Sequence, residues 1–353
     1  MKEKIKFYAS KDLMDKHLKL VALLEIFWDG VERPDDIASS RTKRHRFNKD
    51  FFELTDSLGQ CDYIMMPHDY WQLKNSNRRL FDKIIDISSK SKKPLLIDAS
   101  GDVHGRIFIP NSRVMRVNQY RFSLPSYEIT VPLASEDLLE SYCDGKIVFR
   151  TKRDIPTIGF VGWADVSFRQ KLKTLIRQSP KMFLSLFDRK LITHRKGVFW
   201  RKEALDILRS SSFVRSNFIV RYAYTGNSTT VRGEYEKNRR EFVDNLLNSD
   251  YALIVRGDAN ASARFYEALS LGRIPIFVDT ACVLPLEDKI AYEDFCLFID
   301  YADIRNMPHI ISDFHKNLSQ DNFIAMQAKA RYTFENYLRY DAFSRYLAEI
   351  LGK

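Results

Sequence analysis

Several things are scarce or missing in this sequence, and each removes a class of function. Among 353 residues there are 4 cysteines (Cys61, Cys143, Cys282 and Cys296), scattered without metal-ligand spacing. That argues against a zinc ribbon or a disulfide-stapled scaffold and for reduced thiols in a cytosolic chain. No Asp-x-Asp triplet occurs, so a paired-carboxylate element for a divalent cation is missing, and no Cys/His cluster replaces it. No apolar run approaches the roughly 20 residues of a membrane span. Met-Lys-Glu-Lys leads straight into Ile5-Lys-Phe-Tyr8 with no signal-peptide pattern, and a cytoplasmic location is expected. There is no internal repeat and no low-complexity segment.

What is present is positive charge. Lys and Arg number 56 against 46 Asp and Glu, a formal net charge of +10. Such a balance favours anionic partners and is compatible with peripheral contact at an anionic membrane face. Basic clusters stand at Arg41–Arg46, Lys90–Lys93 and Arg189–Lys202. None is interleaved with aromatics as in a nucleic-acid module, so they read as solvated surface and no nucleic-acid partner is expected. Aromatic residues make up 13% of the chain, most of them expected in the core.

Apolar strand-like runs alternate with helical periodicity along the whole chain, which predicts an α/β protein. In the first half, strands are expected at Ile5–Tyr8, Tyr63–Met66, Pro94–Asp98 and Arg106–Ile109, with an extended run at Glu128–Pro132. Helices are expected at Asp12–Phe27, Trp71–Ser89 and Ser135–Ser141. The charged, Pro-containing stretch Lys152–Pro156 marks a boundary. Beyond it, strands are expected at Thr157–Val161, Phe218–Tyr222, Tyr251–Val255, Ile274–Val278 and Leu297–Asp300, and helices at Phe168–Gln178, Phe199–Ser210 and Glu234–Asn248. Helices end the chain, with a break near Asn336–Asp341. The domain reading is 1–152, 153–338, and a last helix over 339–353.

The most informative stretch is Arg256 to Thr280. It reads strand, polar loop, helix, Gly stop, strand: a βαβ unit with a parallel sheet. Ser262 is placed to N-cap the helix. Phe265, Ala268, Leu269 and Gly272 fall at i, i+3, i+4 and i+7 and form its buried face. Arg264 and Glu267 share another face. A helix N-terminus beside an Arg suits a diphosphate, and a carboxylate one turn on suits ribose hydroxyls. An ordinary crossover with a surface Arg–Glu pair fits the same spacing.

Ser262-Ala-Arg-Phe-Tyr-Glu-Ala-Leu269, Gly272-Arg-Ile-Pro-Ile276 and Leu284-Pro285 together resemble the donor-binding signature of exostosin-type glycosyltransferases. The resemblance is strong over residues 250–286 and rests elsewhere on the order of elements. It implies a GT-B fold: two Rossmann-like domains facing a cleft, with C-terminal helices returning to the first. It also implies an inverting, metal-independent transfer from a nucleoside-diphosphate sugar (UDP or GDP, no further cofactor). The acceptor would be an oligosaccharide or lipid-linked glycan, in surface polysaccharide or glycan biosynthesis. Glu267 would bind the ribose.

Without a metal, Arg256, Arg264 and the backbone around Asn260 and Ser262 must neutralise the leaving diphosphate. Arg169, Arg221, Arg232 and Arg239, and Gly162-Trp163 after the first strand of the second half, are secondary candidates. The base for the acceptor hydroxyl belongs to first-domain loops at the C-terminal strand ends. There the order of preference is Asp102, Asp69, His104, with Asp98 read as a loop-tying residue. Two other readings fit the same elements: a fucosyltransferase-like enzyme using a GDP-sugar, and a non-catalytic nucleotide- or nucleic-acid-binding Rossmann protein.

Overall fold

The computed structural model describes residues 3–28, 45–103, 105–164, 189–221 and 234–353. Two wholly parallel sheets organise them. The first contains β1 (Ile5–Tyr8), β2 (Phe52–Thr55), β3 (Tyr63–Met65), β4 (Leu95–Asp98), β5 (Ser112–Arg116) and β6 (Glu128–Thr130), in the order β2-β1-β3-β4-β5-β6. The second contains β7 (Thr157–Trp163), β8 (Arg215–Arg221), β9 (Tyr251–Ile254), β10 (Ile274–Asp279) and β11 (Leu297–Asp300), in the order β11-β10-β9-β7-β8. The central strands are buried along their whole length, as β4 and β9 are. This is the pattern of parallel strands covered on both faces, and it explains why they appear in the sequence as plain apolar runs.

In the second sheet, strand order reverses between β8 and β9 on either side of β7. A crevice opens at the carboxyl ends of strands at such a switch point. It lies beside the last residues of β7 and the loop after β9.

Among the helices of the first half are α1 (Ala22–Glu25), α2 (Tyr70–Ser76), α3 (Arg78–Ser91) and α4 (Leu138–Tyr142). The second half has α5 (Gly197–Arg209), α6 (Tyr235–Leu247) and α7 (Ala263–Ser270), then α8 (Met307–Asn317), α9 (Gln320–Thr333) and α10 (Tyr340–Leu351). A π-helical turn, Phe334–Leu338, joins α9 to α10. α10 crosses back to the first sheet. There the Tyr63 hydroxyl donates to Leu351 O at 2.9 Å, Asn48 N–H donates to Ser344 Oγ at 2.7 Å, and Phe47 stacks on Tyr340 at 4.4 Å.

Several local expectations fail for visible reasons. The helix expected over Asp12–Phe27 is only a 3-10 turn at Lys11–Leu13 and the single turn α1. The residues between are drawn to the loop after β3: Asp15 N–H donates to His68 Nε2 at 2.8 Å and Val21 N–H to Pro67 O at 2.9 Å. Such tertiary contacts override weak helical periodicity. The strand expected at Arg106–Ile109 lies further on, at Ser112–Arg116. Pro110 has no N–H to give a ladder, and Asn111 sits at φ 54°. The helix expected over Trp71–Ser89 breaks at Asn77, whose side chain accepts from Leu80 N–H and caps α3. The Phe168–Gln178 helix lies outside the described residues.

Candidate functional site

A cavity of about 620 Å³ separates the two sheets. Ser100, Asp102, Val117 and Ala134 line it from the first half; Gly162, Trp163, Ser262, Arg264 and Glu267 line it from the second. Arg201, Arg221 and Arg239 add positive charge to its wall, while Asp258 faces it from the loop after β9.

α7 points its N-terminus into this space. The helix exists because Phe265, Ala268 and Leu269 pack into the core and Gly272, at φ 63°, ends it in a conformation natural to glycine. Ser262 holds the extended N-cap position, but its Oγ makes no cap bond and is buried without a protein hydrogen-bond partner. A buried hydroxyl in that state is poised for a ligand acceptor. Arg264 is the second residue of the helix. Its Nε donates to Val161 O at 2.9 Å, and its guanidinium lies 5.4 Å from the Phe160 ring centroid, against Gly162.

Glu267 departs from the surface-pair reading. It is 3% exposed and accepts from Arg239 Nη1 at 2.9 Å, while Arg239 Nη2 reaches Glu136 at 2.8 Å. α7 is buried around most of its circumference, so a carboxylate there needs a buried cation. Burial alone would lower the Arg239 pKa; Glu267 and then Glu136 outweigh it and raise it well above the ordinary value.

Two proposed diphosphate contacts are scaffold in their side chains. Arg256 does not line the cavity; its Nη1 donates to the Tyr120 hydroxyl at 2.7 Å and Thr193 O at 2.6 Å, and its Nη2 to Asp258 O at 2.8 Å. Asn260 is fully buried. Its Nδ2 donates to Gln119 O at 3.0 Å and Thr280 O at 3.2 Å. Both residues shape the loop whose other members, Ala259 and Ala261, do face the cavity. The reason is the same for each: long polar side chains under a loop satisfy buried carbonyls that would otherwise lack donors.

The three base candidates separate. Asp102 is exposed on the cavity wall, and its pKa is raised by desolvation there and by the Asp258 carboxylate. Asp69 is the N-cap of α2, accepting from Trp71 N–H and Gln72 N–H at 3.0 Å each, and it does not line the cavity. His104 lies outside the described residues. Asp98 is the loop-tying residue it was read as, holding the Ser100 N–H at 2.9 Å and the Ser100 hydroxyl.

Among the described residues one group has metal-ligand proximity: His45, Asp137 and Glu140, their ligand atoms within 4.8 Å of one another. Arg331 already meets Asp137 at 2.6 Å, and Arg339 meets Asp137 and Glu140 at 3.0 Å each. Two guanidiniums on Asp137, one of them shared with Glu140, make this an ion-pair cluster in which a further cation would be repelled.

Sequence reasoning missed the segment that joins the two halves at the rim, through the side chains of Asn118, Tyr120 and Arg121 and the backbone carbonyl of Gln119. Asn118, Gln119, Tyr120 and Arg121 follow β5, and all four contact the loops after β9 and β10. Their partners are distant in sequence, and no local pattern marks them.

Comparison with known proteins agrees with the motif. Residues 188–314 match the Exostosin GT47 domain. Exostosin-1 of Drosophila melanogaster is 29% identical over 102 residues, which is 29% of this chain and 13% of that protein. The Exostosin-1 homolog of Caenorhabditis elegans is 26% identical over 108 residues, 31% of this chain and 27% of that protein. The matched stretch thus spans about a quarter or less of these relatives. Among solved structures, a glycosyltransferase from Rickettsia africae aligns over 83% of this chain and 76% of its own, with 13% identity and a TM-score of 0.37. TarM aligns over 76% of this chain and 57% of its own, with 11% identity and a TM-score of 0.33. No helix among the described residues is long and apolar enough to cross a membrane.

Proposed function

We propose a specific reaction for a chain whose second half carries an exostosin-type glycosyltransferase domain: transfer of a sugar from a nucleoside diphosphate to a saccharide hydroxyl, with inversion and without a metal ion. The observation that carries this reading is the α7 N-terminus, where the unbonded Ser262 Oγ and the Arg264 guanidinium open onto a cavity that Asp102 faces from the other sheet.

The steps follow from that arrangement. The diphosphate lies at the start of α7, where the first-turn N–H groups and the helix dipole favour an anion. Arg264 and Ser262 stabilise the charge that grows on the leaving phosphate oxygen as the anomeric C–O bond breaks. Glu267, held by Arg239, orients the ribose. The acceptor oxygen attacks the anomeric carbon from the first-domain side, and its proton passes to the Asp102 carboxylate. One bond forms opposite the one that breaks, which inverts the centre. The acceptor class is a glycan, free or lipid-linked, and the chain's positive charge suits work beside an anionic membrane face.

The test is a screen of UDP- and GDP-sugars for transfer and for slow hydrolysis, with calorimetry of UDP and GDP alone. Arg264→Ala should abolish or greatly weaken nucleotide binding in a folded protein. Unchanged affinity would remove the diphosphate from α7, and a chain that binds nucleotide but turns over no donor would be a binding protein.

A further inference from the structure

A single buried side chain bridges the loop that carries Asp102 and the loop that leads into α7. Asn118 is 2% exposed and follows β5. Its Nδ2 donates to Asp102 O at 2.8 Å. Its Oδ1 accepts from the Asn260 N–H at 2.8 Å. Asn260 is two residues before Ser262, and its own amide is locked by Gln119 O and by Thr280, whose Oγ1 donates to Asn260 Oδ1 at 2.5 Å. The two loops come from different sheets, and each supplies residues to the cavity wall.

We propose that Asn118 is a positioning residue that couples occupancy of the nucleotide loop to the placement of the Asp102 loop. This rests on the reading of α7 as the nucleotide site and of Asp102 as the acceptor-side base. A primary amide suits the role because it is the smallest side chain that donates and accepts at once in fixed geometry. A buried amide with both groups satisfied is held rigidly, since losing either bond strands a polar group away from water. When a diphosphate orders the backbone at 258–262, the Asn260 N–H fixes Asn118, and Asn118 fixes the carbonyl of Asp102. Without a nucleotide the same link lets the base loop relax with the donor loop. Chemistry then waits for the donor, which limits futile proton transfer at an empty site.

The experiment is hydrogen-exchange mass spectrometry on the full chain with and without saturating UDP, and separately GDP. In the unmodified protein, the nucleotide that binds should slow exchange at 256–264 and also at 99–103. In Asn118→Ala and Asn118→Asp, slowing at 256–264 should persist and slowing at 99–103 should disappear. Asn118→Asp keeps the acceptor for the Asn260 N–H and loses the amide donor, so it tests the link to Asp102 with less damage to the fold. With the donor sugar found by screening, kcat should fall about tenfold or more while nucleotide affinity changes less than about threefold, a split that general destabilisation does not produce. Slowing at 99–103 that survives in both variants would overturn the coupling, as would slowing confined to 256–264 in the unmodified protein. If neither nucleotide slows exchange at 256–264, the nucleotide site itself is misplaced and the coupling falls with it.

Discussion

Gly162 and Arg264 are fitted to each other. Gly162 ends the apolar part of β7 at φ 152°, and a Cβ built there would overlap the Arg264 guanidinium. The missing side chain leaves the space through which Arg264 reaches the cavity wall, and the backbone angle is one L residues rarely take. Gly162→Ala should therefore push the guanidinium aside. The strained angle should cost about 1–3 kcal/mol of stability. Nucleotide affinity should fall about tenfold or more, or ~1.4 kcal/mol of binding. Calorimetry on the folded variant decides it: full nucleotide affinity would mean that Arg264 does not act from this position.

Glu267, the proposed ribose contact, should also be a stability residue. Removing it leaves Arg239 buried with Glu136 as its remaining ion-pair partner among the described contacts. Breaking a buried pair costs about 3–5 kcal/mol, and the retained Glu136 should bring Glu267→Ala to the lower end of that range or below it. Chemical denaturation should show this loss, with Glu267→Gln intermediate. A change under about 0.5 kcal/mol, the size of an exposed helix pair, would contradict the burial. Donor affinity should fall in both variants.

The legible parts of this protein are the local ones. The unit from Tyr251 to Asp279 can be read because strand, loop, helix, glycine and strand follow one another within the span of their own contacts. The return of the last helix to the first sheet follows from the resemblance to a GT-B arrangement and not from any local pattern. The edge strand Phe52–Thr55 is not legible. Its register comes from parallel pairing with Ile5–Tyr8 across more than 40 residues, as Ile5 faces Phe52. The site shows the same division. Ser262 and Arg264 could be placed at the start of a helix from spacing, whereas the contacts of Arg264 with Val161 and Gly162 of β7 could not. Arg239 comes to Glu267 from 28 residues away and Asn118 to Asn260 from 142. Arg256 misled because a polar residue in a motif loop reads the same whether it faces a ligand or props up the loop from beneath, and the backbone N–H of Asn260 is taken by the distant Asn118.

Activity should persist in excess chelator. The cavity offers Arg201, Arg221, Arg239 and Arg264 around its carboxylates, so developing phosphate charge has cations to meet. The assay compares turnover in EDTA with turnover after adding Mg²⁺ or Mn²⁺. Loss on chelation with recovery on adding the ion would assign the charge compensation to a metal instead.

The junction of the first domain with α10 should be pH-sensitive. Hydrogen bonding to Asp341 raises the His45 pKa, burial opposes this, and Glu140 adds to the rise. A group with a raised folded-state pKa contributes stability that is fully present below its unfolded value, here about 6.5. That stability is lost as pH rises through the folded value. Thermal melts from pH 6 to 8.5 should therefore show stability falling with pH, and His45→Gln should flatten the part of the slope due to this residue. An unchanged slope in His45→Gln would place the sensitivity elsewhere.

The proposed base gives the sharpest test, because in the proposed reaction the two halves of the cavity divide the work. The nucleotide is assigned to α7, and Asp102 stands on the opposite wall. Desolvation at the cavity wall and the Asp258 carboxylate both raise its pKa, which makes it a better proton acceptor than an ordinary aspartate. Asp102→Asn keeps the shape and removes the basicity. Turnover should fall by about 10²–10⁴, the usual range for loss of a general base, with nucleotide affinity unchanged. The acid limb of the pH–rate profile should lie above the ordinary aspartate value of about 3.9. Asp258→Asn should move that limb to lower pH, since it removes one of the two causes of the rise. Asp69→Asn is the control: it should weaken the cap of α2 by about 0.5–2 kcal/mol and leave the chemistry largely intact. A near-normal rate in Asp102→Asn would pass the role to another residue of the same loop, with His104→Ala the next variant to measure. Near-normal rates in all three would mean that the acceptor approaches from a different wall of the cavity.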